Sequence, residues 1–219
     1  MNIASYIDHT VLKPTATEDQ IITLCKEAVI YGFAAVCVPP NYVRLAKIQL
    51  QDTAVKIATV SGFPFGYSST RAKLEEIKEA LADGADELDM VINLTAVKNG
   101  DWNFLENEIE RCATTIHASG KVIKLIVESG LLTDAELISC CALARSHKID
   151  FLKTSTGYAE TGATIHAVQL MRQHLPSSIF IKASGGIRNY AFAKELIESG
   201  ATRLGCSAGI KILEESKTV

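Results

Sequence analysis

The sequence predicts an α/β protein: a single-domain (β/α)8 (TIM) barrel spanning residues 1–219. Short runs rich in Val and Ile alternate with longer segments of helical periodicity, as in repeated βα units around a parallel sheet. The apolar runs begin roughly every 22 to 35 residues, about one such unit each, and no linker or low-complexity stretch interrupts them. An open, doubly wound sheet is the alternative, because periodicity does not show whether a sheet closes.

Eight strands are predicted where the apolar runs are short and rich in β-branched residues. They are expected near 7–10, 34–38, 56–60, 87–93, 122–127, 150–153, 179–183 and 202–205. If the sheet stayed open, the first and last strands would be exposed edges, whereas closure pairs them with each other. Closure is therefore favoured.

Eight helices are predicted in the intervals between the strands, and their ends carry capping signals. The first, at about 17–31, begins with a capping box of Thr17 and Gln20 and stops at Gly32. Further signals are a second capping box, Thr133 with Glu136, and a cap at Asn189 for a helix that stops at Gly200.

Composition and charge limit the classes of partner. The net charge of −3 and the pI near 6.0 provide no global attraction to nucleic acid or to an anionic membrane, so any anion must bind at a local site. The first residues lack the basic start and apolar stretch of a signal peptide, and no apolar run approaches the length of a membrane span. A cytoplasmic location is expected. The six cysteines form no C-x-x-C pair, so structural disulfides are not expected, and Cys25, Cys112 and Cys206 are predicted to be packed thiols.

Charged residues inside apolar strands are the most informative feature of the sequence. Lys124, Lys153, Lys182 and Asp89 each lie in a predicted strand that has no solvent-facing side. The alternation of side chains allows all three lysines to point into the barrel. If strands four to seven are neighbours, the four residues form one cluster, in which one carboxylate faces three ammonium groups.

Such a cluster can activate an amine. A lysine with an ordinary pKa near 10.4 is only about 0.04% neutral at pH 7, whereas a depression of about three units leaves roughly a quarter neutral and nucleophilic. Repulsion between Lys153 and Lys182 and partial burial would lower one pKa, and Asp89 could relay protons. The alternative is that the lysines extend to solvent at strand ends or form buried ion pairs with Asp89 and Glu128.

Glycine-rich segments follow two of these strands and the last one. In barrels, the loops after strands seven and eight commonly bind phosphate, and exposed backbone amides with nearby hydroxyls suit an anion. Three segments are expected to form the anion pocket: 154–157, which includes Thr156 and Gly157; 183–188, which includes Gly185 and Gly186; and 205–209, which includes Gly205 and Ser207. Tight turns alone would also require glycine, so position rather than composition supports this interpretation.

No metal or other cofactor is predicted. His117, His147, His166 and His174 fall in predicted helices without a ligand spacing, so they are interpreted as surface or packed residues. His9 is expected to be structural. Two further predictions concern strand ends: Asp8 is expected to be a second carboxylate at the mouth of the barrel, and Cys37 a buried thiol, because no base is identifiable near it.

Six segments, in order over nearly the whole chain, resemble those of the deoxyribose-phosphate aldolase family. They are IDHT at 7–10, ELDMVIN at 87–93, VIKLIVE at 122–128, FLKTSTG at 151–157, KASGGIR at 182–188 and LGCS at 204–207. This resemblance implies a metal-free barrel that reversibly cleaves 2-deoxy-D-ribose 5-phosphate to glyceraldehyde 3-phosphate and acetaldehyde.

The resemblance also implies roles for individual residues. Lys153 would be the Schiff-base lysine, Lys182 the residue that lowers its pKa, and Asp89 the proton-transfer carboxylate. Asp8 and Lys124 match positions that orient water or substrate hydroxyls. Gly157, Gly185, Gly186, Gly205 and Ser207 match the family's phosphate site. Two departures bear on phosphate affinity: Tyr158 stands where some members have lysine, and Ser184 stands where proline or alanine also occurs.

The expected chemistry needs only small partners, namely a sugar phosphate and aldehydes, with a homodimer or higher homo-oligomer as a further possibility. A water beside Asp89 and Lys182 is the candidate proton carrier. Three alternatives remain open at this point: another Schiff-base aldolase with a different donor, a metal-dependent aldolase or isomerase, and a sugar-phosphate binding protein without catalysis.

Overall fold

The computed structural model describes residues 2–218, so the two terminal residues of the predicted 1–219 domain lie outside the described residues. Its strands are β1 (Ile7–Thr10), β2 (Ala35–Cys37), β3 (Lys56–Ser61), β4 (Glu87–Val91), β5 (Val122–Ile126), β6 (Phe151–Lys153), β7 (Phe180–Ser184) and β8 (Arg203–Cys206). All pairings are parallel, each strand pairs with the next, and β1 also pairs with β8. The predicted barrel is confirmed, and the open sheet was the wrong alternative.

The strand predictions agree with the structure to within two residues at each end. The largest difference is at β4, which was predicted to continue to residue 93 but ends at Val91. The reason is local hydrogen bonding, because the Asn93 side chain accepts a hydrogen bond from the backbone N–H of Ala96 and so begins a helix.

The helices are α1 (Glu18–Tyr31), α2 (Val43–Gln49), α3 (Thr70–Asp83), α4 (Leu94–Lys98), α5 (Trp102–Ala118), α6 (Asp134–Ser146), α7 (Ile165–His174), α8 (Tyr190–Glu198) and α9 (Gly209–Ser216). Nine α-helices within residues 2–218 replace the eight predicted. The extra one arises between β4 and β5, where Gly100, at φ +65°, separates α4 from α5 and the Asp101 side chain caps the second helix.

The predicted helix ends are confirmed. In both capping boxes the threonine side chain accepts from the backbone N–H three residues on, and that residue's side chain accepts from the threonine N–H. Gly32 ends α1 in the left-handed conformation, at φ +67°. The Asn189 side chain caps α8, which ends at Glu198, two residues before Gly200.

The strands separate two environments. Side chains on the outer face of the barrel pack against the helices and form the main hydrophobic core. On the inner face a small apolar cluster of Cys37, Ala58 and Val60 lies beside Leu12 and Phe63. Charged side chains occupy inner positions of β4 to β8 and of β1, so these groups face one another rather than the core.

Two further sequence expectations concern the cysteines and the membrane. The six cysteines are buried and form no disulfide in the part of the chain that the structure describes, as expected for packed thiols. Burial raises the pKa of the Cys37 thiol. Across residues 2–218, no helix has the length and apolar character required to cross a membrane.

Candidate active site

The predicted cluster is present inside the barrel. Because β4, β5, β6 and β7 are consecutive neighbours, Asp89 lies beside Lys124, and Lys153 lies beside Lys182. All four side chains point inward from alternating positions of their strands and are 0–2% exposed. The sequence prediction that these four residues come together is therefore confirmed.

Asp89 binds all three ammonium groups. Its Oδ1 accepts a hydrogen bond from Lys124 Nζ at 2.8 Å, and its Oδ2 accepts one from Lys153 Nζ and one from Lys182 Nζ, both at 2.7 Å. Burial alone would raise the pKa of Asp89, but the three positive charges outweigh burial and hold that pKa well below its ordinary value. Asp89 is therefore ionised, and its Oδ2 accepts hydrogen bonds from two lysines.

The cluster contains more acidic groups than the single carboxylate predicted. Asp8 was expected at the mouth, but it is fully buried inside the barrel, where it accepts hydrogen bonds from Lys182 Nζ and, at 2.7 Å, from Arg203 Nη1. Glu87 Oε2 lies 2.5 Å from Lys124 Nζ and 3.2 Å from Arg203 Nη1. Burial raises the pKa of Asp8, yet its cationic neighbours outweigh that effect and hold it at about 2.

Sequence reasoning missed Glu87 and Arg203, although the signal was available. Each lies two residues before an inward-facing position, so strand alternation places it on the same face, closer to the N-terminal end of the barrel. With them, the cluster contains four basic and three acidic side chains, namely Lys124, Lys153, Lys182, Arg203, Asp8, Glu87 and Asp89. The charges balance when one lysine is neutral.

Lys153 is the lysine of this cluster whose pKa is lowered. Burial lowers the pKa of Lys153, the charge of Asp89 opposes that shift, and the charge of Lys182 adds to it. For Lys182 burial also acts downward, but two close carboxylates, Asp8 and Asp89, reverse the effect and raise its pKa. The pKa of Lys124 is raised in the same way, by Asp89 and Glu87.

Access to the cluster also distinguishes Lys153. A cleft of about 880 Å³ opens at the carboxyl ends of the strands, and Lys153 lines it. Lys124 and Lys182, with fully buried side chains, do not line this cleft. A molecule that enters the cleft therefore meets the amine with the lowered pKa.

The glycines predicted to bind an anion line the same cleft. Gly157, Gly185 and Gly186 have φ of +86°, +86° and +79°, a backbone region that L side chains rarely adopt. At Gly185 a Cβ would also come within 2.9 Å of the Gly162 Cα. Gly205 and Ser207 complete this side of the cleft, next to the N-terminus of α9, whose first turn has no side-chain cap.

The hydroxyl groups of Thr156 and Ser184 are already engaged. Thr156 donates its hydroxyl hydrogen to Glu128, and the hydroxyl of Ser184 donates to the carbonyl oxygen of Ser155 at 2.5 Å. The backbone N–H groups of these two residues are engaged as well, at Glu128 and at the Thr154 hydroxyl, so the anion contacts in these loops fall to other residues. Thr156 as a substrate-binding residue stays a prediction.

Tyr158 and His9 occupy other walls of the cleft. The Tyr158 hydroxyl donates to the carbonyl oxygen of Leu12 at 2.9 Å, and its ring meets that of Phe63 edge-on at 5.3 Å, so this side chain crosses the mouth. His9 Nε2 lies 2.8 Å from Glu27 Oε2 on α1. Among the described residues, no group of three or more His, Cys, Asp and Glu side chains is placed to hold a metal ion.

Comparison with known proteins gives a consistent result. The model of the DeoC/LacD family aldolases matches residues 2–215. A deoxyribose-phosphate aldolase of Thermococcus gammatolerans is 48% identical, over 99% of this chain and 97% of its own length. The same enzyme of Clostridium tetani is also 48% identical, over 99% and 100%.

Solved structures extend the likeness to three dimensions. The tetrameric deoxyribose phosphate aldolase of Aeropyrum pernix is 32% identical and superposes with a TM-score of 0.92, over 99% of this chain and 91% of that one. An orotidine 5′-phosphate decarboxylase of Pyrococcus horikoshii, 15% identical with a TM-score of 0.67, shares the fold alone. The family resemblance seen in the sequence is confirmed: this chain belongs to the DeoC/LacD family of aldolases.

Proposed function

We propose that this protein is a class I aldolase that reversibly cleaves 2-deoxy-D-ribose 5-phosphate to glyceraldehyde 3-phosphate and acetaldehyde, as part of deoxyribose catabolism. The observation that carries the proposal is the situation of Lys153, which lines the cleft while its pKa is lowered by burial and by Lys182. The names of the full-length relatives support the choice of substrate.

In the proposed first step, the neutral amine of Lys153 attacks the aldehyde carbon of the open-chain sugar. Loss of water from the carbinolamine then gives an iminium ion. Formation of this ion removes one of the three lysine amino groups that bind Asp89, while Lys124 and Lys182 still hold Asp89 in place. Asp89 Oδ2, which lies 2.7 Å from Lys153 Nζ, is then the carboxylate oxygen closest to the reacting nitrogen.

The iminium is the electron sink for carbon–carbon cleavage. As a base takes the proton of the C3 hydroxyl, the C2–C3 bond breaks, its electron pair forms an enamine on Lys153, and C3 becomes the aldehyde of glyceraldehyde 3-phosphate. Asp89, with Lys182 and a water between them and the substrate, is the proposed proton relay. Protonation of the enamine at C2 and hydrolysis by water release acetaldehyde and restore the amine.

The phosphate is proposed to bind at the glycine loops beyond Lys153. Backbone N–H groups around Gly157, Gly186 and Ser207, together with the uncapped start of α9, would give an anion the donors it needs. Asp8 and Lys124 are proposed to act on the reaction from beneath, by orienting Lys182 and Asp89, since both are fully buried.

The primary test is release of aldehyde from 2-deoxyribose 5-phosphate, followed by borohydride treatment in the presence of acetaldehyde. We expect turnover, inactivation by borohydride and a mass increase that maps to Lys153, because borohydride reduces an iminium to a stable amine. Another Schiff-base aldolase would also be modified at Lys153, but it would not form aldol products from acetaldehyde as the donor. A binding protein would give neither product nor adduct, and full activity after borohydride would refute the Schiff base.

Metal removal tests the class of mechanism. Exhaustive chelation should leave the rate of cleavage unchanged, because the iminium itself accepts the electron pair that a Lewis acid would otherwise stabilise. The assay is repeated with added Zn²⁺. A rate that falls on chelation and returns with the metal would contradict the proposal and favour a metal-dependent aldolase.

The proposal includes a cytoplasmic location and self-association into a homodimer or a higher homo-oligomer. Unpaired thiols at the six described cysteines suit a reducing compartment, and one relative is tetrameric. Cell fractionation and light scattering of the purified protein would test the two statements separately.

A further inference from the structure

Glu128, which the proposed chemistry does not use, has an unusual backbone and an unusual environment. It lies two residues after the end of β5 with φ +52°, in the left-handed region that is uncommon for residues other than glycine. Its side chain is buried, with 2% exposure, yet it carries an acidic group. Strained backbone together with a buried carboxyl group is typical of functional positions.

The carboxylate of Glu128 binds one residue, Thr156, at three points. Both of its oxygens accept the Thr156 backbone N–H at 3.2 Å, and Oε2 also accepts the Thr156 hydroxyl. The same hydroxyl oxygen accepts the backbone N–H of Tyr158 at 3.0 Å. These bonds enclose Gly157, the first glycine of the anion pocket.

Backbone hydrogen bonds on either side of Glu128 extend the contact back to the nucleophile. The N–H of Val127 donates to the carbonyl oxygen of Lys153 at 3.0 Å, and the N–H of Ser129 donates to that of Thr154 at 2.7 Å. Glu128 is therefore attached, through its own side chain and its two neighbours, to the segment that joins Lys153 to Gly157.

We infer that Glu128 is a positioning residue that fixes the 154–157 segment, and thereby sets the distance between the amine of Lys153 and the anion pocket. The inference rests on the proposed function. A phosphorylated substrate must contact the amine of Lys153 and the anion pocket at the same time, whereas an unphosphorylated aldehyde must contact only the amine. Loss of Glu128 should therefore act mainly on phosphorylated substrates.

The sign of the effect separates positioning from simple electrostatics. If Glu128 acted only through its negative charge near an anion site, removing that charge would tighten the binding of phosphate. If it acts by holding the loop, its removal weakens the binding of phosphate despite the favourable change in charge. Glu128→Gln keeps one acceptor oxygen for the Thr156 N–H and so separates the two effects.

The experiment compares kinetics with deoxyribose 5-phosphate and with free deoxyribose, and measures the binding of inorganic phosphate by calorimetry. For Glu128→Ala we expect KM for the phosphorylated sugar to rise about tenfold, on the order of one lost hydrogen bond to a charged group. For free deoxyribose, kcat/KM should change by less than about twofold. Glu128→Gln should show a smaller rise in KM with the same selectivity.

Thr156→Val provides a second variant if Glu128→Ala does not fold, because it removes only the hydroxyl and keeps the shape. It should reproduce the selective rise in KM, and Thr156→Ser should restore the wild-type values. The control is Glu108→Gln, another fully buried carboxylate, paired with Lys73 away from the cleft. It should lower stability without changing the ratio between the two substrates.

Equal losses for both sugars, no change in either, or tighter phosphate binding in Glu128→Gln would overturn the inference. These outcomes differ from failure of the proposed function, in which the wild-type protein itself would release no aldehyde and form no adduct. In that case the calorimetric comparison still decides the role of Glu128, because it needs no turnover.

Discussion

Two buried lysines, Lys73 and Lys153, look alike at first. Each lies in the interior of the protein, each has a carboxylate oxygen at 2.7 Å from its Nζ, and burial lowers the pKa of both. Lys73 lies on α3, outside the barrel, and its partner Glu108 lies on α5. Lys153 lies inside the barrel at the end of β6.

The two lysines differ in their hydrogen-bond partners and in access to the amine. Lys73 donates to Glu108 and also to the carbonyl oxygen of Val91 at 2.9 Å, and Thr70 donates to the other oxygen of Glu108 at 3.3 Å. Lys73 and Glu108 share no contact with the cluster inside the barrel, and neither lines the cleft. Lys153 shares its carboxylate with two other lysines and faces open space. A lowered pKa therefore does not by itself identify a nucleophile. The amine must also be reachable from the cleft, and its carboxylate partner must have other cations to bind when the amine reacts.

The largest expected effect comes from removing the amine of Lys153. Lys153→Leu should abolish both turnover and borohydride trapping at every pH, because the remaining lysines of the cluster cannot be reached from the cleft. Lys73→Met should keep the adduct on Lys153. Mass spectrometry of the trapped proteins checks both, and an adduct that persists in Lys153→Leu would break the distinction between the two lysines.

Lys182→Leu should lower activity at pH 7 by about 10² or more. Removing this cation relieves repulsion and frees Asp89 to hold the Lys153 proton, so the pKa of Lys153 rises and its neutral fraction at pH 7 falls. Activity should therefore recover in part as pH rises toward the new pKa, and trapping should be slow but present. A pH–rate profile checks this. Loss of the adduct here, with its retention in Lys153→Leu, would reverse the two assignments.

Gly186→Asp is expected to raise KM for deoxyribose 5-phosphate by roughly tenfold or more and to change the kinetics of free deoxyribose much less. The added charge repels the phosphate, while a Cβ at this position meets no atom within 4 Å. Gly186→Ala is the matched control, because it shares the strain of φ +79° but adds no charge. Similar effects of the two variants would show that the loop acts only as a turn.

The smallest effect on activity is expected at the outer pair, which is the ion pair of Lys73 and Glu108 outside the barrel. Lys73→Met should reduce the free energy of unfolding by about 3–5 kcal/mol, because it leaves Glu108 buried and unpaired. KM and the pH profile of the folded fraction should not change. The double variant Lys73→Met with Glu108→Leu should regain part of the stability, measured by denaturant titration. A shifted pH profile would mean that Lys73 influences the cluster.

Much of this arrangement could be predicted from the sequence because it follows from short-range periodicity. Alternation in the strands brought Asp89 and the three lysines to one face, and the capping boxes fixed helix ends. The same rule would have found Glu87 and Arg203. Helical periodicity would have found the outer pair, because Lys73 lies four residues before Ile77 on the buried face of α3.

Other features depend on geometry that no local pattern specifies. The left-handed backbone at Glu128 is a conformation that a non-glycine residue adopts only when tertiary contacts impose it. The depth of Asp8, and the assignment of its oxygens to Lys182 and Arg203, depend on the pairing of β1 with β8, which only closure creates. The extra helix between β4 and β5 is an exception, because its local signals, the Asn93 cap and the break at Gly100, are present in the sequence.

The pairing of β1 with β8 also has a consequence for biosynthesis. Asp8 emerges from the ribosome early, and its partner Arg203 emerges 195 residues later. Until then β1 lacks its second barrel neighbour, β8, and Asp8 lacks one of its two hydrogen-bonded cations. Lys153 meanwhile remains on an incomplete sheet, where solvent would keep its amine protonated. A nascent or prematurely terminated chain should therefore be unreactive toward the aldehydes of the cell, so that the reactive amine appears only when the ring of strands has closed.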